Sequence, residues 1–214
     1  MIVYPHKEKL LAAIQNRKAA ADIELLQEAY RAYEQWKAAM QSLTETGEAK
    51  VRRLVEMLNQ YKDYLEVELI ARQGSDFLKR QKGQMKLDNS VIEEFLPYLV
   101  DNRILRNLPT GFELETGSQT SFMSLAFCPT SIQELDKPQV VIKEKDQDFT
   151  IGKSLFYKFS SDSNFNIDKT IAGKLFLAVL AVECKVNYDK TMFQECAGTA
   201  ARLKQGCPIS KYYA

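Results

Sequence analysis

The chain has 214 residues, 45% hydrophobic and 27% charged, an ordinary globular composition with enough length to bury a real core. Its net charge of +1 provides no whole-molecule field for a polyanion, and no run of about 18 apolar residues offers a transmembrane helix. Met1-Ile2-Val3-Tyr4-Pro5 lacks the regions of a signal peptide, and Cys128, Cys184, Cys196 and Cys207 form no C-x-x-C pair, so reduced thiols in a cytoplasm are expected rather than a zinc knuckle or disulfide framework.

From Lys7 to about Arg72 there is almost no Gly or Pro. Apolar residues fall at Ile23, Leu26, Tyr30, Tyr33, Trp36, Met40 and Leu43, then at Val51, Leu54, Leu58, Tyr61 and Leu65. Spacings of three and four predict the buried seam of amphipathic helices, with a break at Thr46-Gly47. The expectation is a long antiparallel helical hairpin, serving as a bundle or dimerisation arm. The only histidine, His6, lies near the start. A Cys–His or Ser–His catalytic pair would have to rely on it, and none is expected.

Next comes a basic stretch with Arg72, Lys79, Arg80, Lys82 and Lys86 against Asp76 and Asp88. It reads either as a solvated face or as a segment that lies along phosphates. Ser90-Val91-Ile92-Glu93 has the form of a capping box and predicts a helix start, with Pro97 kinking the helix that follows.

From about Phe112 the texture changes. Strands are predicted at Ser121 to Phe127, Gln139 to Ile142, Phe149 to Phe159 and Leu175 to Val186. A helix is predicted from Asp189, as N-cap, to about Gln205, ended by Gly206 and Pro208. "ISKYYA" begins one more strand. The fold class expected is α+β (mixed α/β), with a helical region over 1–110 and a sheet-bearing core over 111–214.

One short pattern carries chemistry. "LFLAVLAV" is apolar enough for a central strand, and Glu183-Cys184-Lys185 follows at its end. Residues i and i+2 of a strand share a face, so Glu183 and Lys185 go together and Cys184 turns to the core. Charges at that place need compensation, which a hard divalent cation on the carboxylate would supply. A second acid should come from a neighbouring strand. Asp148, just ahead of an apolar run, is the choice, with Asp146, Asp162 and Asp168 as alternatives. Such a set suits phosphodiester hydrolysis. An ordinary strand-end ion pair is the competing reading, since E-x-K arises by chance about once in such a chain. Glu48-Ala49-Lys50 is a second copy and reads as surface.

The stretches "DFTIGKSLFYKFS", "AVECKVNYDKTMFQECAGTAARLK" and "PISKYYA" resemble the Bpu-ten-I type of type II restriction endonucleases, within the PD-(D/E)xK nuclease superfamily. The likeness is strongest from Asp148 to Ala214. It implies Mg²⁺-dependent cleavage of double-stranded DNA at a short specific site. It further implies a second related subunit, or a homodimer, and a DNA methyltransferase in the same system. Glu183 and Lys185 match the (D/E)xK pair, and Asp148 matches the first acid, although Gln147 stands where a proline would. By the same likeness Asp148, Glu183 and the Cys184 carbonyl would hold the metal, and Lys185 would orient or deprotonate the attacking water. Gln194 either joins the site or is a solvated or capping side chain. Lys190 is a further candidate for phosphate. Arg202, Lys204 and Lys211 form a basic stretch past which DNA could run. Proteins of this kind continue beyond the "KYY" strand, so an incomplete sheet at the C-terminal end is also expected. A non-catalytic DNA-binding or oligomerisation scaffold is the alternative function.

Overall fold

Alternating three- and four-residue spacings become helices in the first half of the chain. The computed structural model describes residues 4–73, 87–105, 113–136, 138–185 and 189–214. Its backbone divides into two compact units, Met1–Thr110 and Gly111–Ala214. Among the described residues no helix is long and apolar enough to cross a membrane.

The first unit is helical. Helix α1 spans Pro5–Ile14 and, after a 3-10 segment, α2 spans Ile23–Ser42. Helix α3 spans Gly47–Asp63 and continues as a π-helical stretch, Tyr64–Gln73. Gly47 opens α3 at φ 58°, a left-handed conformation that glycine adopts without steric cost. The predicted seam supplies the core: Tyr33, Trp36 and Met40 of α2 meet Leu54, Tyr61 and Leu65, and Trp36 stacks on Tyr61 at 4.8 Å between ring centroids.

Several local expectations are corrected here. Helix α1 is a separate element ahead of the hairpin, because Leu10 joins the same core. Helix α4, Leu87–Phe95, begins before Ser90. The Ser90 hydroxyl is buried and bonds the His6 ring at 3.0 Å instead of capping a helix. Pro97 does not kink α4. The helix stops at Phe95 and a 3-10 turn, Leu96–Val100, takes over. The Lys50 of the second E-x-K copy is buried and bonds Asp101 at 2.5 Å, so that copy is only half on the surface.

The second unit is a four-stranded mixed sheet with one long helix. The strands are β1 (Glu115–Phe127), β2 (Val140–Ser160), β3 (Thr170–Val182) and β4 (Lys211–Tyr213), in the order β1-β2-β3-β4. The first two pairings are antiparallel and β3–β4 is parallel. The two strands predicted at Gln139 to Ile142 and Phe149 to Phe159 are one strand of 21 residues. "KEKDQD" has poor strand propensity but contains no Gly or Pro to break it, and pairing with β1 holds it extended. Helix α5, Lys190–Gly206, is capped by the Asp189 carboxylate, which accepts from the Met192 amide at 2.8 Å. Its Leu203 packs with Met123, Phe176, Ala178 and Ala181 of the sheet.

Candidate active site

The end of β3 sets the place. Strand β3 stops at Val182, so Glu183 and Lys185 lie just past the ladder. The Glu183 amide still donates to the Tyr213 carbonyl at 2.9 Å, which keeps β4 alongside. Glu183 is only 8% exposed and Cys184 is buried beside it. The Lys185 ammonium meets Glu183 Oε1 at 2.6 Å.

Asp148 arrives from β2 through an irregularity in pairing. From Gln119 to Gly117 β1 advances two positions while β2 advances three, from Gln147 to Thr150. The extra residue makes a bulge at Asp148-Phe149, a device that re-aims a side chain within a strand. On the other side Phe149 pairs with Val182, so one step further Asp148 faces Glu183. Asp148 Oδ2 accepts the Cys184 amide at 2.6 Å. Asp148 therefore sits at a mid-strand bulge, not at a strand start as the sequence suggested.

Two further groups close on Glu183. The Tyr212 hydroxyl, from β4, donates to its Oε2. Lys145 of β2 stands 3.5 Å from the same oxygen and bonds Thr199 Oγ1 at 2.9 Å and Glu195 at 3.2 Å, both on α5. Burial works against ionisation of Glu183, but the Lys185 ammonium, the Tyr212 hydroxyl and Lys145 outweigh it and hold the carboxyl below its ordinary range. Hydrogen bonding to Glu183 raises the Lys185 pKa, so Lys185 is an ammonium here. Burial, then Glu183, pushes the Tyr212 phenol up, and it stays a donor.

Carboxylate and carbonyl oxygens are the donors a hard divalent cation takes, so Asp148, Glu183 and the Cys184 carbonyl suit one chemically. Among the described residues no group of three or more His, Cys, Asp or Glu side chains gathers.

The remaining candidates are dispersed. Gln194 is exposed on α5, and its neighbour Glu195 is the residue that reaches Lys145. Lys190 is exposed at the start of α5 and Lys204 near its end. Arg202 lines a groove with Lys143, Lys145 and Thr199. Lys79, Arg80, Lys82 and Lys86 lie outside the described residues. Of the alternative acids, Asp146 bonds Thr120 at 2.5 Å and Asp162 bonds the Asn164 and Asn166 amides at 3.2 Å, neither at Glu183. The sequence reading missed Lys145 and Tyr212. Taking "KEKDQD" as continuous strand would have aimed Lys145 at the sheet face. A parallel "KYY" strand beside β3 would have done the same for Tyr212.

Among the described residues, then, a four-stranded mixed sheet brings Asp148, at a bulge of β2, beside Glu183 and Lys185 just past the end of β3. The chain is similar to a chain of the native BbvCI A2B2 tetramer, with a TM-score of 0.68 and 19% identity, over 99% of this chain and 74% of that one. No curated protein sequence matches it. Residues 84–214 match the model of the Bpu10I restriction endonuclease family, and the chain belongs to that family. It is a type II restriction endonuclease, a site-specific deoxyribonuclease acting on DNA, and enzymes of this kind generally use a divalent metal.

Proposed function

We propose that Asp148, Glu183 and Lys185 form the phosphodiester-hydrolysing centre, with Mg²⁺ as the metal. Asp148 and Glu183, with the Cys184 carbonyl, would hold the ion, which when bound supplies Lewis acidity toward water and the phosphate. The observation that carries this reading is the meeting of the two strands: Asp148 bonds the amide next to Glu183, and Glu183 bonds Lys185.

Each residue then has a defined task. Lys185 is positioned as a cation that donates to the attacking water and to the phosphoryl oxygens as negative charge builds. Its ammonium form makes it a donor rather than a base in this arrangement. Asp148 holds the Cys184 backbone in place and so fixes the aim of the residues on either side. Tyr212 fixes the rotamer of Glu183.

We further infer that Gly111–Ala214 is the catalytic unit and that the helical unit, Met1–Thr110, is an assembly arm. Assembly with a second copy or a related subunit is supported by the A2B2 tetramer of the BbvCI neighbour. A DNA methyltransferase partner and a cytoplasmic setting belong to the same reading. Incubation with plasmid DNA and Mg²⁺, with EDTA as control, tests it. Discrete fragments are expected, and Lys185→Ala should stop cutting while the DNA is still bound. Wild-type cutting by Lys185→Ala rejects the site, and shifted but uncut DNA from the unaltered chain favours a scaffold.

A further inference from the structure

Lys145 is a third charged partner at this corner. Two of its three donor directions are taken by Thr199 and Glu195 of α5, at 2.9 and 3.2 Å. Its contact with Glu183, at 3.5 Å, is beyond ordinary hydrogen-bond length. The α5 groups therefore hold the ammonium as an aimed cation, and its side chain keeps 31% exposure. It also lines a groove of about 580 Å³ between β2 and α5, together with Lys143 and Arg202. Glu144 is the one acid on that lining, against three cations. A furrow lined by three cations, bordered at Lys145 by Glu195 and Glu183 and continuing past Arg202, has the chemistry of a track for a phosphodiester backbone.

We propose that Lys145 binds the DNA backbone phosphate beside the scissile one, and that the groove through Lys143 and Arg202 carries the strand onward. The proposal rests on the assignment of Glu183 and Lys185 to the hydrolytic centre. Thr199 and Glu195 act as positioning residues for the ammonium. Lys145→Met keeps an unbranched apolar stem and removes the ammonium together with its bonds to Thr199 and Glu195.

The test is the salt dependence of binding to a fluorescein-labelled random-sequence duplex, in EDTA so that nothing is cut. Each phosphate contact contributes about 0.9 to the slope of log K against log salt. Lys145→Met should reduce that slope by about one. Its affinity deficit relative to the unaltered chain should shrink about threefold to fourfold between 50 and 200 mM salt. Lys145→Arg should restore the slope, and Arg202→Gln should lower it in the same way. A merely structural role would change melting temperature and leave the slope alone. An unchanged slope in Lys145→Met, with Lys185→Ala still abolishing cleavage, removes this assignment and leaves the hydrolytic centre standing. Cleavage that survives Lys185→Ala removes the centre itself.

Discussion

Asp148 Oδ2 accepts the backbone amide of Cys184 at 2.6 Å, so the proposed first acid is bonded to the residue between Glu183 and Lys185. The carboxylate has a structural task there as well as a charge. Asp148→Asn keeps an acceptor for the amide and loses the charge. It should melt within a few degrees of the unaltered chain, yet lose at least about 100-fold in cleavage, the scale of removing one preorganised electrostatic group from an active centre. Asp148→Ala should lose cleavage and stability together. Thermal melting beside plasmid cleavage separates the two, and an active Asp148→Asn would reassign the first acid.

Tyr212 donates to Glu183 while its ring packs against the core cluster of the sheet and α5. Tyr212→Phe keeps the ring and frees the carboxylate to change rotamer. Partners that orient metal ligands typically matter by about 10–100-fold in metal affinity. The Mg²⁺ concentration for half-maximal cleavage should rise by roughly tenfold. A Mg²⁺ titration that superimposes on the unaltered protein would remove Tyr212 from the site.

In the helical unit, Asp101 bonds buried Lys50 at 2.5 Å and Arg103 at 2.8 Å, and the Arg103 carbonyl accepts the Gly47 amide at 2.7 Å. Hydrogen bonds from Arg103, then Lys50, hold the Asp101 carboxyl well below its ordinary range. A depressed folded-state pKa contributes stability that is complete above the unfolded value, about 3.9, and fades as pH falls through the folded one. Asp101→Ala leaves a buried lysine without its carboxylate and should cost about 2–4 kcal/mol at pH 7. The gap between the two melting curves should narrow between pH 4 and pH 2, on the order of the carboxylate titration. A gap that is constant with pH would show that the ion pair carries none of the effect.

Gly152 lies at the pairing shift between β2 and β3, where a Cβ would come 2.2 Å from the Leu177 carbonyl and 2.9 Å from Ala178 Cα. Those obstacles are backbone and cannot step aside. Gly152→Ala should destabilise the sheet unit by roughly 1–3 kcal/mol, the usual cost of overpacking. Gly198 of α5 provides the contrast, since its nearest neighbour would be the flexible Arg202 side chain at 3.6 Å. Gly198→Ala should be neutral or gain up to about 1 kcal/mol from helix propensity. Urea unfolding of the two variants in parallel decides it, and equal stability would contradict the close approach at Gly152.

By itself the sequence determined what local chemistry and periodicity can determine. The three-and-four spacing of Tyr33, Trp36, Met40, Leu54 and Tyr61 marked helices and their buried side, because a helix has one period and a core needs one face. The apolar run ending at Glu183, and Asp189 capping the next helix, marked where a charged pair would leave the sheet. Tertiary structure alone decided the rest. Low strand propensity in "KEKDQD" is overridden by pairing with β1, so two expected strands became one and Lys145 came to face α5. The bulge that brings Asp148 opposite Glu183 is a mismatch between partner strands, and no single strand encodes it. Tyr212 reaches Glu183 only because β4 returns parallel to β3 after a whole helix. Contacts between residues tens of positions apart depend on register, and register is a property of pairs of segments.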